Sequence, residues 1–273
     1  MPVFSDEESP LPLPARYDRV LALTAHPDDA EYSFGATVSR LAAEGSHVAY
    51  AVCTDGSQGG EDPEEPAARL TAIRYAEQRA AAEQLGVREV RFLGFADGTL
   101  VPDLRLREAL VREIRRVRPQ LVLTHQPLRS LVFPIGASHP DHLAVGEAAL
   151  AAVYPDARNP RAFPQLLREG LAPHRVAEVW VPGHEHTDFH VDVGAHVEAK
   201  TRAILRHESQ FRTSLDPQAD IAWTVERMRG FGKQAGCAFA EGFTRIIADA
   251  HAGAGPVSDH SSPPGSAGPD PME

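Results

Sequence analysis

The sequence predicts a three-layer, Rossmann-like α/β domain with a mostly parallel sheet, and three observations carry that prediction. Short apolar runs alternate with stretches of helical periodicity, which implies right-handed βαβ crossovers. The runs are continuous rather than alternating, as strands covered on both faces require. The 273 residues, 42% apolar before the 21 glycines are added, suffice to bury a substantial core in one large domain.

The elements follow in order. Arg19 to Ala25 is a leucine-rich strand, and a helix runs from about Glu31 to Ala43 before Gly45 stops it. His47 to Cys53 is the second strand, ending in a glycine-rich turn region from Thr54 to Pro66. Residues 67 to 86 are alanine- and glutamate-rich helix formers; Val90 to Leu93 is a short strand, and Asp97-Gly98 marks a turn. Leu106, Leu110, Ile114 and Val117 fall at helical spacing, with arginines mostly off that line, until Pro119 ends the helix. Leu121 to His125 is the fourth strand and His142 to Val153 the next helix. Beyond a proline-rich loop over residues 155–173, strands are expected at Glu178 to Val181 and Phe189 to Val193, and helices at His196 to Arg206 and Asp220 to Met228. Composition divides the chain into an extended, proline-dotted leader (1–17), one domain (18–251), and a tail (252–273) too rich in Gly, Pro and Ser to offset its ordering entropy.

Charge narrows the function. With 38 acidic against 27 basic residues the net charge is -11, which repels nucleic-acid phosphates and anionic membranes. No apolar run approaches the roughly 20 residues of a membrane span, and the acidic N-terminus is unlike a signal peptide. These features predict a cytoplasmic protein with a small-molecule substrate, no nucleic-acid partner and no membrane span; a homo-oligomer is compatible with them. Cys53 and Cys237 read as buried free thiols.

In an open parallel sheet the ligand sits beyond the carboxyl ends of the strands. Directly after the first strand stands Ala25-His26-Pro27-Asp28-Asp29-Ala30-Glu31, one imidazole among three carboxylates. Adjacent carboxylates repel unless a cation holds one of them, and His26 with Asp29 can converge on one metal while Asp28 stays free beside it. After the fourth strand comes His139-Pro140-Asp141-His142, where a helix begins. Two His, one carboxylate and an open position match a catalytic zinc site better than a structural one. Either cluster alone reads as a helix cap; two at one sheet edge read as a site. His47, His184, His186 and His190 lack such context, and His184-Glu185-His186 is a weaker rival without a third ligand nearby.

These residues resemble the LmbE-like, or PIG-L, family of zinc-dependent de-N-acetylases. The family's Ala-His-Pro-Asp-Asp, then Glu and Gly, stands here as Ala25 to Asp29 with Glu31 and Gly35, and its His-Pro-Asp-His as His139 to His142. Thr54-Asp55-Gly56, Arg74 with Glu77, Leu93-Gly94 and Asp97-Gly98 lie between in the family's order, with a fainter echo at His207-Glu208-Ser209-Gln210. The resemblance implies His26, Asp29 and His142 as zinc ligands, Asp28 as general base, His139 as the protonated partner of the transition state, and Arg74 and Asp97 as substrate contacts. Asp141 is a candidate to orient His139. Fe2+ is the alternative metal. Ala30 departs from the glutamate of mycothiol-pathway members, and residues 136–138 lack the tyrosine some members carry before the second motif.

The function so implied is removal of an acetyl group from an N-acetylglucosaminyl-type sugar or conjugate. Its alternatives are a broad metal-dependent amidase acting on a non-sugar amide and a metal-binding relative without chemistry; the second has no need of Asp28 or His139. A non-haem iron oxygenase would use the same two His and one carboxylate, but usually in an all-β barrel. A dinucleotide enzyme would lead from the first strand into G-x-G-x-x-G, not His-Pro-Asp-Asp.

Overall fold

The computed structural model describes residues 16–60, 62–132, 135–184 and 186–249. Seven strands form one sheet among them, in the order β3-β2-β1-β4-β5-β7-β6. These are β1 (Arg19–Thr24), β2 (His47–Thr54), β3 (Glu89–Phe95), β4 (Leu121–Leu123), β5 (Glu178–Pro182), β6 (Phe189–Asp192) and β7 (Ala240–Ile247). The helices are α1 (Asp29–Ala43), α2 (Ala67–Gln84), α3 (Leu104–Val117), α4 (Pro140–Ala151), α5 (Pro164–Arg168), α6 (Val197–Ile204) and α7 (Pro217–Ala235).

The strand period of two explains the layers. Leu21, Leu23 and Ala25 point to one face, where they meet Leu110 and Ile114 of α3 and Val145 and Ala148 of α4. Val20 and Ala22 point to the other, against Phe34 and Val38 of α1, Ala81 and Ala82 of α2 and Met228 of α7. Such two-sided burial is why the runs are continuously apolar. The chain leaves β1 toward β2 and β3, then returns to add β4 on β1's other side, in parallel register Leu21 to Val122. The order therefore reverses between β1 and β4, and loops diverge there to leave a crevice.

Several boundaries shift. β4 ends at Leu123, with Thr124 still tied to both neighbouring strands, its N–H donating to the Trp180 carbonyl at 3.1 Å and its hydroxyl to the Leu23 carbonyl at 3.0 Å. The loop over 155–173 contains the short α5. Tyr17, assigned by composition to the leader, is buried; its hydroxyl donates to Glu178 Oε2 at 3.0 Å. Residues 1–15 of the leader and the whole tail lie outside the described residues.

β7 was not foreseen. It inserts antiparallel between β5 and β6, so the sheet is mixed at this side. Ala-Glu-Gly-Phe-Thr-Arg-Ile-Ile reads weakly as a strand because Glu241 interrupts its apolar run, and the fold gives that residue a task. Helix α1 kinks at Phe34, and Glu241 accepts from the freed N–H groups of Ala36 (3.3 Å) and Thr37 (2.7 Å). Lys200 of α6 completes the buried pair at 2.6 Å and donates to the Tyr32 carbonyl at 2.8 Å. Glu241→Ala leaves that ammonium buried and uncompensated and is expected to destabilise the fold by about 3–5 kcal/mol. Urea unfolding checks this, and the Glu241→Leu/Lys200→Met double variant should lose less.

Candidate metal centre and active site

Both sequence clusters meet at the β1/β4 crevice. Residues after β1 supply His26, Asp28 and Asp29; those after β4 supply His125, His139, Asp141 and His142, and the turns after β2 and β3 add Gly56 and Asp97. Among the described residues, the groups of ligating atoms lying within 4.8 Å of one another are His26 with His139 and His142, Asp29 with His125 and His142, and His26 with Asp97 and Asp141. None includes His184 or His186, the rival pair; His186 is well exposed.

One tautomer of His26 satisfies its surroundings. Its Nε2 faces Asp97 Oδ1 at 3.1 Å and Asp141 Oδ2 at 3.2 Å, and carboxylates only accept, so Nε2 carries the hydrogen. Nδ1 is thereby turned to Asp29 Oδ2 at 3.3 Å and His142 Nε2 at 3.2 Å, while His142 Nε2 lies 2.9 Å from Asp29 Oδ1. Donors bonded to one tetrahedral ion at about 2.0–2.1 Å stand roughly 3.3–3.4 Å apart; the His26–Asp29–His142 triangle comes close to this, its two edges to Asp29 ending on different oxygens of that carboxylate.

The electrostatics agree. Burial works against charge on His26, yet Asp29, Asp141 and Asp97 outweigh it and push the imidazole up to about 12, the field of a site built for a cation. Burial also disfavours the Asp29 carboxylate, but His142, His125 and His26 hold its pKa well below the ordinary range. His142 is raised, chiefly by Asp29 against the effect of burial. His125 is pushed down to about 4 by burial and by His142, so it is neutral.

Asp28 stands apart from this triangle. Burial raises its carboxyl pKa and Asp29 adds to the rise, while Arg74 opposes it. Its backbone is left-handed, with φ 103° and ψ -29°. A non-glycine residue in so sparsely populated a conformation costs on the order of 1–3 kcal/mol and persists only where its surroundings fix it. Arg74 does part of this: one Nη donates to the Pro27 carbonyl at 2.6 Å and to Asp28 Oδ2 at 3.1 Å, the other to the Gly56 carbonyl at 2.8 Å. Gly56, at φ +65°, has no room for a side chain, since a Cβ would come within 2.9 Å of Pro27.

Two expectations change. Asp141 does not orient His139. Its carboxylate is taken by His26 and by the N–H groups of Gly98 (2.8 Å) and Leu100 (3.0 Å), because the α4 N-terminus turns it inward; only its backbone N–H reaches His139, at Nδ1, 3.2 Å away. For His139 the surroundings run against the protonated form, since burial and the neighbouring His26 and His142 lower its pKa. With Nδ1 accepting, the neutral ring carries its hydrogen on Nε2. Arg74 and Asp97 are nearly buried, engaged with Asp28 and His26 respectively.

Sequence reasoning missed His125. It packs flat on His142, with centroids 4.2 Å apart and 7° between the planes, and its Nε2 lies 3.2 Å from Asp29 Oδ2. Its position directly after a strand was the available signal. Also unforeseen was a cavity of about 610 Å3 opening from Asp29, His125 and His142 to Tyr32, His184, Trp223 and Arg227. Tyr32 and Trp223 lie nearly parallel, 2° between planes and 5.9 Å between centroids, and Trp223 is 52% exposed.

Comparison with known proteins bears on this arrangement. A family model described as PIG-L, GlcNAc-PI de-N-acetylase, matches residues 21–153, the span carrying both clusters. The chain is 34% identical over 193 residues to the diacetylchitobiose deacetylase of Thermococcus kodakarensis, covering 71% of this chain and 70% of that one. It is 32% identical over 260 residues to the 1D-myo-inositol 2-acetamido-2-deoxy-alpha-D-glucopyranoside deacetylase of Streptomyces griseus, covering 72% and 76%. Among solved structures, the N,N'-diacetylchitobiose deacetylase of Pyrococcus horikoshii superposes with a TM-score of 0.78 at 27% identity, over 85% of each chain. Fold, motif order and relatives converge, and the chain belongs to the PIG-L (LmbE-like) family of de-N-acetylases.

Proposed function

We propose that the protein is a zinc-dependent hydrolase that removes the acetyl group from an N-acetylglucosaminyl-type amino sugar or conjugate. The observation that carries this reading is the donor triangle of His26, Asp29 and His142, of which Asp29 and His142 line a cavity large enough for a substrate, with Asp28 next to Asp29 in the same turn. Zinc suits the two nitrogens and one oxygen, with Fe2+ as the alternative. His26, Asp29 and His142 would hold such an ion, and it would supply Lewis acidity, polarising the amide carbonyl and lowering the pKa of the attacking water to about 7.

The side chains do the rest. Asp28, its carboxyl pKa raised by burial, takes the proton of the attacking water and returns it to the leaving amine. His139 offers Nε2–H to the oxyanion of the tetrahedral intermediate, and losing one such donor costs about a hundredfold to a thousandfold in rate. Asp97 and Asp141 hold His26 in its tautomer. Asp97 and Arg74 remain the proposed contacts to sugar hydroxyls; each Asp97 oxygen has lone pairs to spare. A cytoplasmic setting fits the two free cysteines; no described helix is long and apolar enough to cross a membrane.

The cavity wall of Tyr32 and Trp223 gives the group attached to the sugar an aromatic face. Trp223→Ala is expected to raise KM for a glucosaminyl conjugate about two- to thirteenfold, as loss of roughly 0.5–1.5 kcal/mol of ring packing implies, and to leave free N-acetylglucosamine unaffected. The reading itself is tested by assaying the metal-loaded enzyme on acetylated sugars, peptides and polyamines. Preference for a sugar-free amide overturns the sugar assignment and leaves the hydrolase in place.

A further inference from the structure

Asp28 is pinned at every polar group. Its carbonyl accepts the N–H groups of Glu31 (3.0 Å) and Tyr32 (3.2 Å), so the first turn of α1 hangs from it. Arg74 holds its carboxylate. Its own N–H donates to Gln78 Oε1 at 2.8 Å.

An amide side chain can turn either end toward a neighbour, and Gln78 must present oxygen here. Glu31 fixes that choice: the Gln78 amino group donates to both Glu31 oxygens, at 3.0 and 3.1 Å. His207 holds Glu31 in turn, its Nε2 lying 3.3 Å from Glu31 Oε2. Glu31, Gln78 and His207 are all fully buried, at 0% exposure. The series runs without a gap from His207 through Glu31 and Gln78 to the backbone of Asp28.

His207 comes from a distant part of the chain, 176 positions after Glu31 and outside residues 21–153. Its segment is clamped to α2 by Ser209, whose N–H and hydroxyl donate to Glu77 at 2.7 and 2.6 Å. Adjacent residues of one helix, Glu77 and Gln78, thus grip the C-terminal segment and the loop that bears Asp28.

We propose that His207 is a positioning residue, acting through Glu31 and Gln78 to hold Asp28 in its left-handed backbone conformation and so to aim its carboxylate. The proposal rests on the reading of Asp28 as the base. It does not require His207 to touch substrate or metal. One N–H donor toward Glu31 is enough, so glutamine can replace His207 and leucine cannot.

The test compares His207→Leu, His207→Gln and the parent, all metal-loaded, by steady-state kinetics and by hydrogen exchange of the Asp28 amide. His207→Leu is expected to lower kcat about 10- to 100-fold, the usual effect of losing an outer-shell partner. KM stays within twofold, metal content matches the parent, and the Asp28 amide loses its protection; His207→Gln restores kcat and protection. A His207→Leu enzyme with parental kcat and a protected Asp28 amide, even at lower melting temperature, overturns the proposal. If His207→Leu does not fold, Gln78→Met breaks the same series one step closer to Asp28, and parental kcat in that variant overturns it equally. Loss of protection in these variants together with full activity in Asp28→Asn leaves the positioning role standing and removes Asp28 as the base.

Discussion

Asp28→Asn is expected to keep its metal and lose about two to four orders of magnitude in kcat, the usual contribution of a positioned general base. The substitution isolates the proton acceptor. Asparagine tolerates the left-handed region better than most residues, its side-chain oxygen can still accept from Arg74, and its backbone N–H still reaches Gln78. What disappears is the basic carboxylate. The acid side of the pH profile should change with it. Burial and Asp29 raise the carboxyl pKa of Asp28, so parental kcat/KM falls as pH drops through a value above the usual carboxylate range. The variant's residual rate should lack that limb. Rates across pH 6 to 9 beside metal analysis check both points, and parental activity in the variant assigns the base to another residue.

The other large effect concerns the donor triangle. His26→Ala, Asp29→Ala and His142→Ala are each expected to leave little bound metal and no measurable turnover, whereas the parent holds close to one divalent ion per chain. Asp29 is the most connected of the three. It meets His142 at 2.9 Å, His125 at 3.2 Å and the His26 backbone N–H at 2.6 Å. Its loss therefore removes a proposed ligand and the anchor of three neighbours, and its variant should be the least stable. Elemental analysis of purified protein reads the first effect and thermal melting the second. Parental metal content in all three variants would place the ion elsewhere.

Much of this was legible in the sequence because it rests on local pattern. Continuous apolar runs report two-sided burial, and two His-Pro-Asp clusters beyond strand ends place a site at the sheet edge without any knowledge of packing. The misses share one cause, contacts between residues far apart in sequence. β7 carries a glutamate that only its partners in α1 and α6 explain. His125 looks like the end of a strand until His142 stacks on it. The partner of Asp141 was misread because sequence proximity suggested His139, whereas the first turn of α4 directs the carboxylate at a histidine 115 residues away.

The place of β7 has a consequence for the order of synthesis. The last strand among the described residues lies between β5 and β6, so when residues up to 235 have emerged from a ribosome, β6 has no neighbour in the sheet and the kinked half of α1 lacks the acceptor for Ala36 and Thr37. Every residue of the candidate metal centre, and the whole span from 21 to 153, is by then already made. The nascent chain thus carries both histidine–aspartate clusters before it carries a complete sheet, and it must pass through that stage with apolar strand surface uncovered. Chains stopped before 240 should accumulate as protease-sensitive or chaperone-bound species rather than as a smaller working enzyme.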